Sequence, residues 1–138
     1  MKKYKIGYTT GVYDMFHIGH LNILKRAKEQ CDYLIVGVST DELVQEYKNK
    51  MPIIPFNERA EIVRAIRYVD EVVPQENMDK IEALKRLKFN AMFHGDDWKG
   101  SDMYKNIQKE FDKYGVDLVF LPHTDGISST IISQKTGY

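Results

Sequence analysis

The chain of 138 residues has a single cysteine, no surplus of charge of either sign and no long apolar run. One cysteine, Cys31, excludes an intrachain disulfide framework and a cysteine zinc cluster, leaving packing as its expected role. Lysine plus arginine equal aspartate plus glutamate at 20 each, so no global charge draws the chain to nucleic acid or an anionic membrane. Any anion site must be local. The apolar stretch after Met1-Lys2-Lys3 is brief and interrupted, and no later segment approaches a membrane span. A soluble cytoplasmic protein is expected. No repeat, low-complexity tract or linker divides the chain, and its length suits a single domain over 1–138.

What is present is an alternation. Apolar, β-rich runs at 5–10, 33–38, 68–73, 91–94 and 116–121 suit buried parallel strands. Helical patterns fall between them, over about 18–30, 56–67, 79–88 and 101–114, with a last helix beginning near Ser128. The alternation predicts an α/β fold, a parallel sheet with helices on both faces. Ligands of such sheets bind beyond the carboxyl ends of the strands, so the loops after strands one, two, four and five should share one functional edge. The stretch 46–56, with Lys48, Lys50, Pro52 and Pro55, fits neither pattern and reads as a mobile basic loop.

Gly11-Val12-Tyr13-Asp14-Met15-Phe16-His17-Ile18-Gly19-His20 joins the first strand to the first helix and reads as a nucleotide-binding segment. A helix N-terminus offers unpaired N–H groups and the positive end of the dipole, which favours phosphate. His17 and His20 add donors there, with charge-assisted bonds expected, and Gly19 lets a phosphate approach the backbone. Taken alone, such a pair also serves as a helix cap or a metal site.

Four segments in this order resemble the cytidylyltransferase family, and most of all its small bacterial members that act on glycerol-3-phosphate: His17-Ile18-Gly19-His20, Arg67-Tyr68-Val69-Asp70-Glu71-Val72, Gly95-Asp96-Asp97-Trp98, and Thr124-Asp125-Gly126-Ile127-Ser128-Ser129-Thr130. The resemblance spans nearly the whole chain. It implies a Rossmann-like nucleotidyltransferase, a homodimer using magnesium, that joins CTP to a small phosphorylated alcohol with release of pyrophosphate. The expected acceptor is glycerol-3-phosphate, for cell-surface polymer synthesis. Phosphoethanolamine, phosphocholine or another small polyol or amino-alcohol phosphate is the alternative. Two further readings stand beside it: an adenylyltransferase of coenzyme synthesis, and a noncatalytic CTP-binding sensor.

The resemblance also implies roles. His17 and His20 contact the CTP phosphates and stabilise charge in the transition state, a role preferred here to acid-base catalysis because the attacking oxygen is already anionic. Gly11, Val12, Tyr13 and Gly19 belong to the same nucleotide site. Gly126, Ile127, Ser128, Ser129 and Thr130 supply hydroxyls and a helix start for a second phosphate, although a Ser-Ser-Thr run by itself is an ordinary cap. Arg67 is assigned to CTP phosphate and Arg59, eight positions earlier on the same helix, to substrate; Arg64 points elsewhere. Asp96, Asp97 and Trp98 face the cytosine and ribose, with Trp98 able to stack or merely pack. Lys48 and Lys50 reach the acceptor phosphate. No residue is assigned to metal, since the nucleotide phosphates carry magnesium. The role of Asp14 stays open.

The chain departs from the family at His123, where arginine is usual. Histidine has fewer donors and is charged only when protonated. It replaces the inherited phosphate contact or serves substrate selection.

Overall fold

The computed structural model describes residues 2–95 and 100–122. The chain runs β1 (Tyr4–Gly11), α1 (Ile18–Glu29), β2 (Cys31–Ser39), α2 (Asp41–Lys48), α3 (Phe56–Arg64), β3 (Glu71–Gln75), α4 (Lys80–Leu87), β4 (Ala91–Gly95), α5 (Asp102–Asp112) and β5 (Asp117–Leu121). All five strands are parallel, in the order β3-β2-β1-β4-β5. This is a Rossmann-like winding, and its direction reverses between β1 and β4, so the ligand crevice is expected above those two strands.

Burial follows the run of apolar residues. β2 is buried without interruption over 34–39, as a strand covered on both faces must be. Alternate residues feed two cores. Val36 and Phe93 join Leu24 and Ala27 of α1 and Val63 of α3, whereas Ile35 and Met92 join Ala83 and Leu84 of α4 and Phe111 of α5. Cys31 lies in the first core, fully buried.

Three elements differ from the sequence reading. The third strand begins at Glu71 instead of Tyr68, because Asp70 meets β2 with its side chain as well as its N–H, which donates to the Leu34 carbonyl at 3.0 Å. Its carboxylate accepts the Leu34 N–H at 2.8 Å and the Lys28 ammonium at 2.5 Å, and the ladder starts one residue later at Ile35–Glu71. As an edge strand β3 also tolerates Pro74, which donates no hydrogen bond. The third helix stops at Arg64, since Ile66 and Val69 turn back to pack on the first core. Finally, α2 is a helix for which no helical pattern was expected, and its last residues fall in the stretch 46–56 read as a loop. Thr40 caps it by accepting the Leu43 N–H at 3.2 Å, Asp41 and Glu42 complement its dipole, and left-handed Asn49 ends it. The irregular basic stretch therefore begins after Lys48, not at Glu46.

Candidate active site

The β1–α1 loop turns sharply. Tyr13 and Met15 hold left-handed φ values of 55° and 50°, a strain that non-glycine residues carry where surrounding contacts compel it. Tyr13 folds back into the core, and a Cβ on Gly11 would stand 2.9 Å from its ring. Gly11 is thus needed for Tyr13 to tuck in. Tyr13, expected to touch nucleotide, forms a floor of the site, its ring edge-on to His20 at 5.3 Å.

On that floor stand the two histidines. His17 caps α1 by accepting the Gly19 N–H at Nδ1, 3.1 Å away, and His20 Nδ1 accepts the His17 N–H at 3.3 Å. The rings stack with centroids 3.8 Å apart. Burial and then the neighbouring His17 push His20 down to about 3, and burial lowers His17 as well. Both rings are therefore neutral near neutral pH. With Nδ1 accepting, a neutral imidazole keeps its proton on Nε2, so each ring presents an N–H donor at its far edge. Toward an anionic phosphate these donors make charge-assisted bonds through the charge of the acceptor. The cap and the ligand donor are one arrangement, since the capping bonds decide which nitrogen is left to donate. They also occupy the Gly19 amide, so Gly19 serves the cap first.

A cavity of about 740 Å³ opens over the carboxyl ends of β1 and β4. Thr9, Thr10, Gly11, Val12 and Tyr13 line it with His20 and His94, and Lys48 and Lys50 line it from the opposite lip. The two lysines thus share one space with His20. The lips are tied together. Asp14 accepts the N–H groups of Ile53 and Ile54 at 2.8 and 2.9 Å.

Arg59 completes the tie. Its guanidinium is fully buried and donates to the carbonyls of Ile54, Val12 and Ser39 and to Asp41, over 2.7–2.8 Å. The expectation that it binds substrate is corrected: it joins three segments of the site and touches the ligand space only through them. Arg67 also differs. It lies in the turn between α3 and β3, exposed and stacked on Tyr68 at 5.2 Å, at the amino end of the strands. The helix that was to align it with Arg59 ends three residues earlier. Within one chain the cavity is lined by neither arginine.

Three residues escaped the sequence reading. Lys80, the first residue of α4, is 7% exposed and lines a smaller cavity of about 170 Å³ that shares Thr10 with the main one. No ion pair of the described residues includes it. Burial lowers its pKa. Its ammonium sits 5.4 Å from the centre of the Tyr104 ring, and the Tyr104 hydroxyl lies 3.0 Å from His94 Nε2. Nothing local in the sequence distinguishes Lys80 from a surface lysine. The aromatic ring that meets its ammonium comes from α5. Asp96, Asp97, Trp98, His123, Gly126, Ile127, Ser128, Ser129 and Thr130 lie outside the described residues, as does the expected last helix.

A reversed-winding parallel sheet with paired imidazole donors over β1 and lysines on the facing lip defines an α/β protein built to hold a polyphosphate. Comparison with known proteins makes this specific: the cytidylyltransferase-like family model matches residues 8–135, and the chain belongs to that family. It is 39% identical over 127 residues to the glycerol-3-phosphate cytidylyltransferase of Bacillus spizizenii, covering 91% of this chain and 92% of that one. It is 37% identical over 139 residues to the ethanolamine-phosphate cytidylyltransferase of Dictyostelium discoideum, covering 95% of this chain and 37% of that protein. Among solved structures, the lipopolysaccharide core biosynthesis protein of Thermoplasma volcanium superposes with a TM-score of 0.76 at 27% identity, over 88% of this chain and 99% of that one.

Proposed function

We propose that this protein is a CTP-dependent cytidylyltransferase that joins CTP to a small phosphorylated alcohol, glycerol-3-phosphate foremost, giving a CDP-alcohol and pyrophosphate. The observation that carries the reading is a cavity lined by His20, stacked on His17, together with Lys48 and Lys50. The likeness to glycerol-3-phosphate cytidylyltransferases over most of both chains supports the acceptor. A phosphate oxygen of the acceptor forms a bond to the α-phosphorus of CTP while the bond to the β-phosphate oxygen breaks, and the electron pair leaves with pyrophosphate. Negative charge grows on the equatorial and departing oxygens. The Nε2–H groups of His17 and His20 are preorganised for those oxygens by the capping bonds, so their stabilisation is greatest where charge develops.

Lys48 and Lys50 hold phosphate from the other lip. Lys80 adds a third cation, since a buried ammonium without an ion-pair partner among the described residues is stabilised by an arriving anion. Asp96, Asp97 and Trp98 are assigned to the cytidine, and Gly126, Ile127, Ser128, Ser129 and Thr130, with His123, to phosphate. Magnesium enters with CTP. It neutralises phosphate charge there. The protein is taken to act as a cytoplasmic homodimer, and among the described residues no helix is long and apolar enough to cross a membrane.

The test is pyrophosphate release with CTP and magnesium, supplying glycerol-3-phosphate, phosphoethanolamine and phosphocholine separately, with His17→Ala as control. Turnover with glycerol-3-phosphate is expected. Silence across the panel despite CTP binding would leave the noncatalytic sensor as the better reading.

A further inference from the structure

The small cavity beside Thr10 is lined by two neutral polar groups that the fold itself does not use. Tyr8 is 2% exposed and stacks on Phe89 at 4.9 Å, a packing role that a phenylalanine would fill as well. Its hydroxyl reaches over β2 to a place where a Cβ on Gly37 would stand only 2.6 Å away, so glycine is required there to make room for it. Among the described residues that hydroxyl has no hydrogen-bond partner, and it is open to the cavity it lines. A buried hydroxyl without a protein partner is left for a ligand or a water to satisfy. Burial pushes it up to about 12, so it keeps its proton.

Gln75, at the end of β3, is 7% exposed and lines the same cavity. The Ser39 hydroxyl donates to its Oε1 at 2.7 Å, which leaves Nε2 with the Met78 sulfur at 3.6 Å, a weak acceptor on an exposed and adaptable side chain. Both contacts agree on the orientation of the amide, because a thioether accepts and cannot donate. The nitrogen therefore keeps a donor for an oxygen better than that sulfur. The charged wall of the cavity is mixed, with Lys80 and Arg86 beside Glu76, Asp79 and Glu82. Asp79 is engaged in the α4 cap and Glu82 lies 3.7 Å from Arg86, so charge does not select the occupant. The neutral pair does. A ligand hydroxyl can accept from Gln75 and bond with Tyr8, whereas an ammonium opposes the amide donor to donor and has no lone pair to offer.

We infer that the small cavity is the alcohol subsite of the acceptor, where Gln75 and Tyr8 select a phosphorylated polyol by its free hydroxyls over an amino-alcohol phosphate. The inference rests on the reading above that the acceptor is a small phosphorylated alcohol. Thr10, common to both cavities, sets this subsite beside the nucleotide space.

The test is calorimetric binding of glycerol-3-phosphate, of phosphoethanolamine, and of n-propyl phosphate, which keeps the phosphate and the carbon chain but has no hydroxyl. The wild-type protein binds glycerol-3-phosphate about tenfold more tightly than either of the others. Gln75→Met, of similar volume, removes most of that preference, and Tyr8→Phe, which keeps the stacked ring, lowers it about threefold. Both variants leave the affinities for propyl phosphate and CTP within about twofold, since neither compound meets the lost group. A wild-type protein that binds propyl phosphate or phosphoethanolamine as tightly as glycerol-3-phosphate overturns the inference, as does binding of none of the three. So do variants in which glycerol-3-phosphate and propyl phosphate weaken alike, the mark of a merely structural role. The reaction is judged separately. Hydroxyl-dependent binding without pyrophosphate release fails the proposed reaction and retains this subsite, whereas turnover of glycerol-3-phosphate that neither variant alters retains the reaction and overturns the subsite.

Discussion

His17 and His20 show how one pair of side chains can serve folding and chemistry through opposite nitrogens. Their Nδ1 atoms satisfy two amides that the start of α1 would otherwise leave unpaired, and their Nε2–H groups remain for ligand. Replacing either with alanine is expected to lower kcat by on the order of 10² to 10³, with a smaller change in CTP affinity, as for the loss of one preorganised donor. Steady-state kinetics beside calorimetric CTP binding checks this, and equal losses in both would point to ground-state binding instead. The depressed histidines also couple stability to pH. Stability is fully present above about pH 6.5, where a histidine of the unfolded chain titrates. Below it the unfolded chain takes up protons that folded His20 and His94 refuse, so stability falls with pH and levels off near their folded values of about 3 and about 4. Urea unfolding at pH 7.5 and pH 5 measures the loss. His94→Gln should reduce it, and the same loss in wild type and variant would contradict this account.

At the scale of elements, the site is a set of loops held in register by one buried cation. Arg59 reaches the β1–α1 loop at Val12, the end of β2 at Ser39, the start of α2 at Asp41 and the lip at Ile54. Asp14 crosses the same gap by another route. Arg59→Met leaves Asp41 and three carbonyls without this donor, and should cost about 3–5 kcal/mol, the usual penalty for breaking a buried pair. Arg59→Lys should rescue little, because a single ammonium cannot reproduce the planar fork. Denaturant unfolding gives the first figure. Limited proteolysis within 51–55 gives an independent one, with faster cleavage expected as the lips separate. A variant of wild-type stability would show that the tie is redundant.

For the whole molecule, the parallel sheet decides that residues distant in sequence face one another. β1, β2 and β4 end on the same edge, so the loop after β1, helix α2 after β2 and His94 at the end of β4 surround a common space. Filling that space should stabilise the fold as a unit. CTP at a hundred times its dissociation constant is expected to add about 2.7 kcal/mol to unfolding, and ATP less at the same concentration. Thermal unfolding with each nucleotide tests this directly. Equal shifts would contradict a cytidine-selective site, and a larger shift with ATP would favour the adenylyltransferase reading.

The sequence by itself determined the α/β class, the parallel winding and the histidine loop, because strand runs, helix periodicity and residues joined by one turn are local facts. Lys48 and Lys50, assigned to the acceptor phosphate through the family resemblance, line the cavity. Tertiary structure decided the rest. Arg59 and Arg67 are both arginines near one helix, yet burial against four acceptors makes one a structural tie, and the early end of α3 leaves the other in the turn at the amino end of the strands. Lys80 reads as a surface lysine until α5 brings Tyr104 over it. The charge and exposure of a side chain depend on what the remaining chain packs around it, and the winding of the sheet sets that, across distances no local pattern encodes.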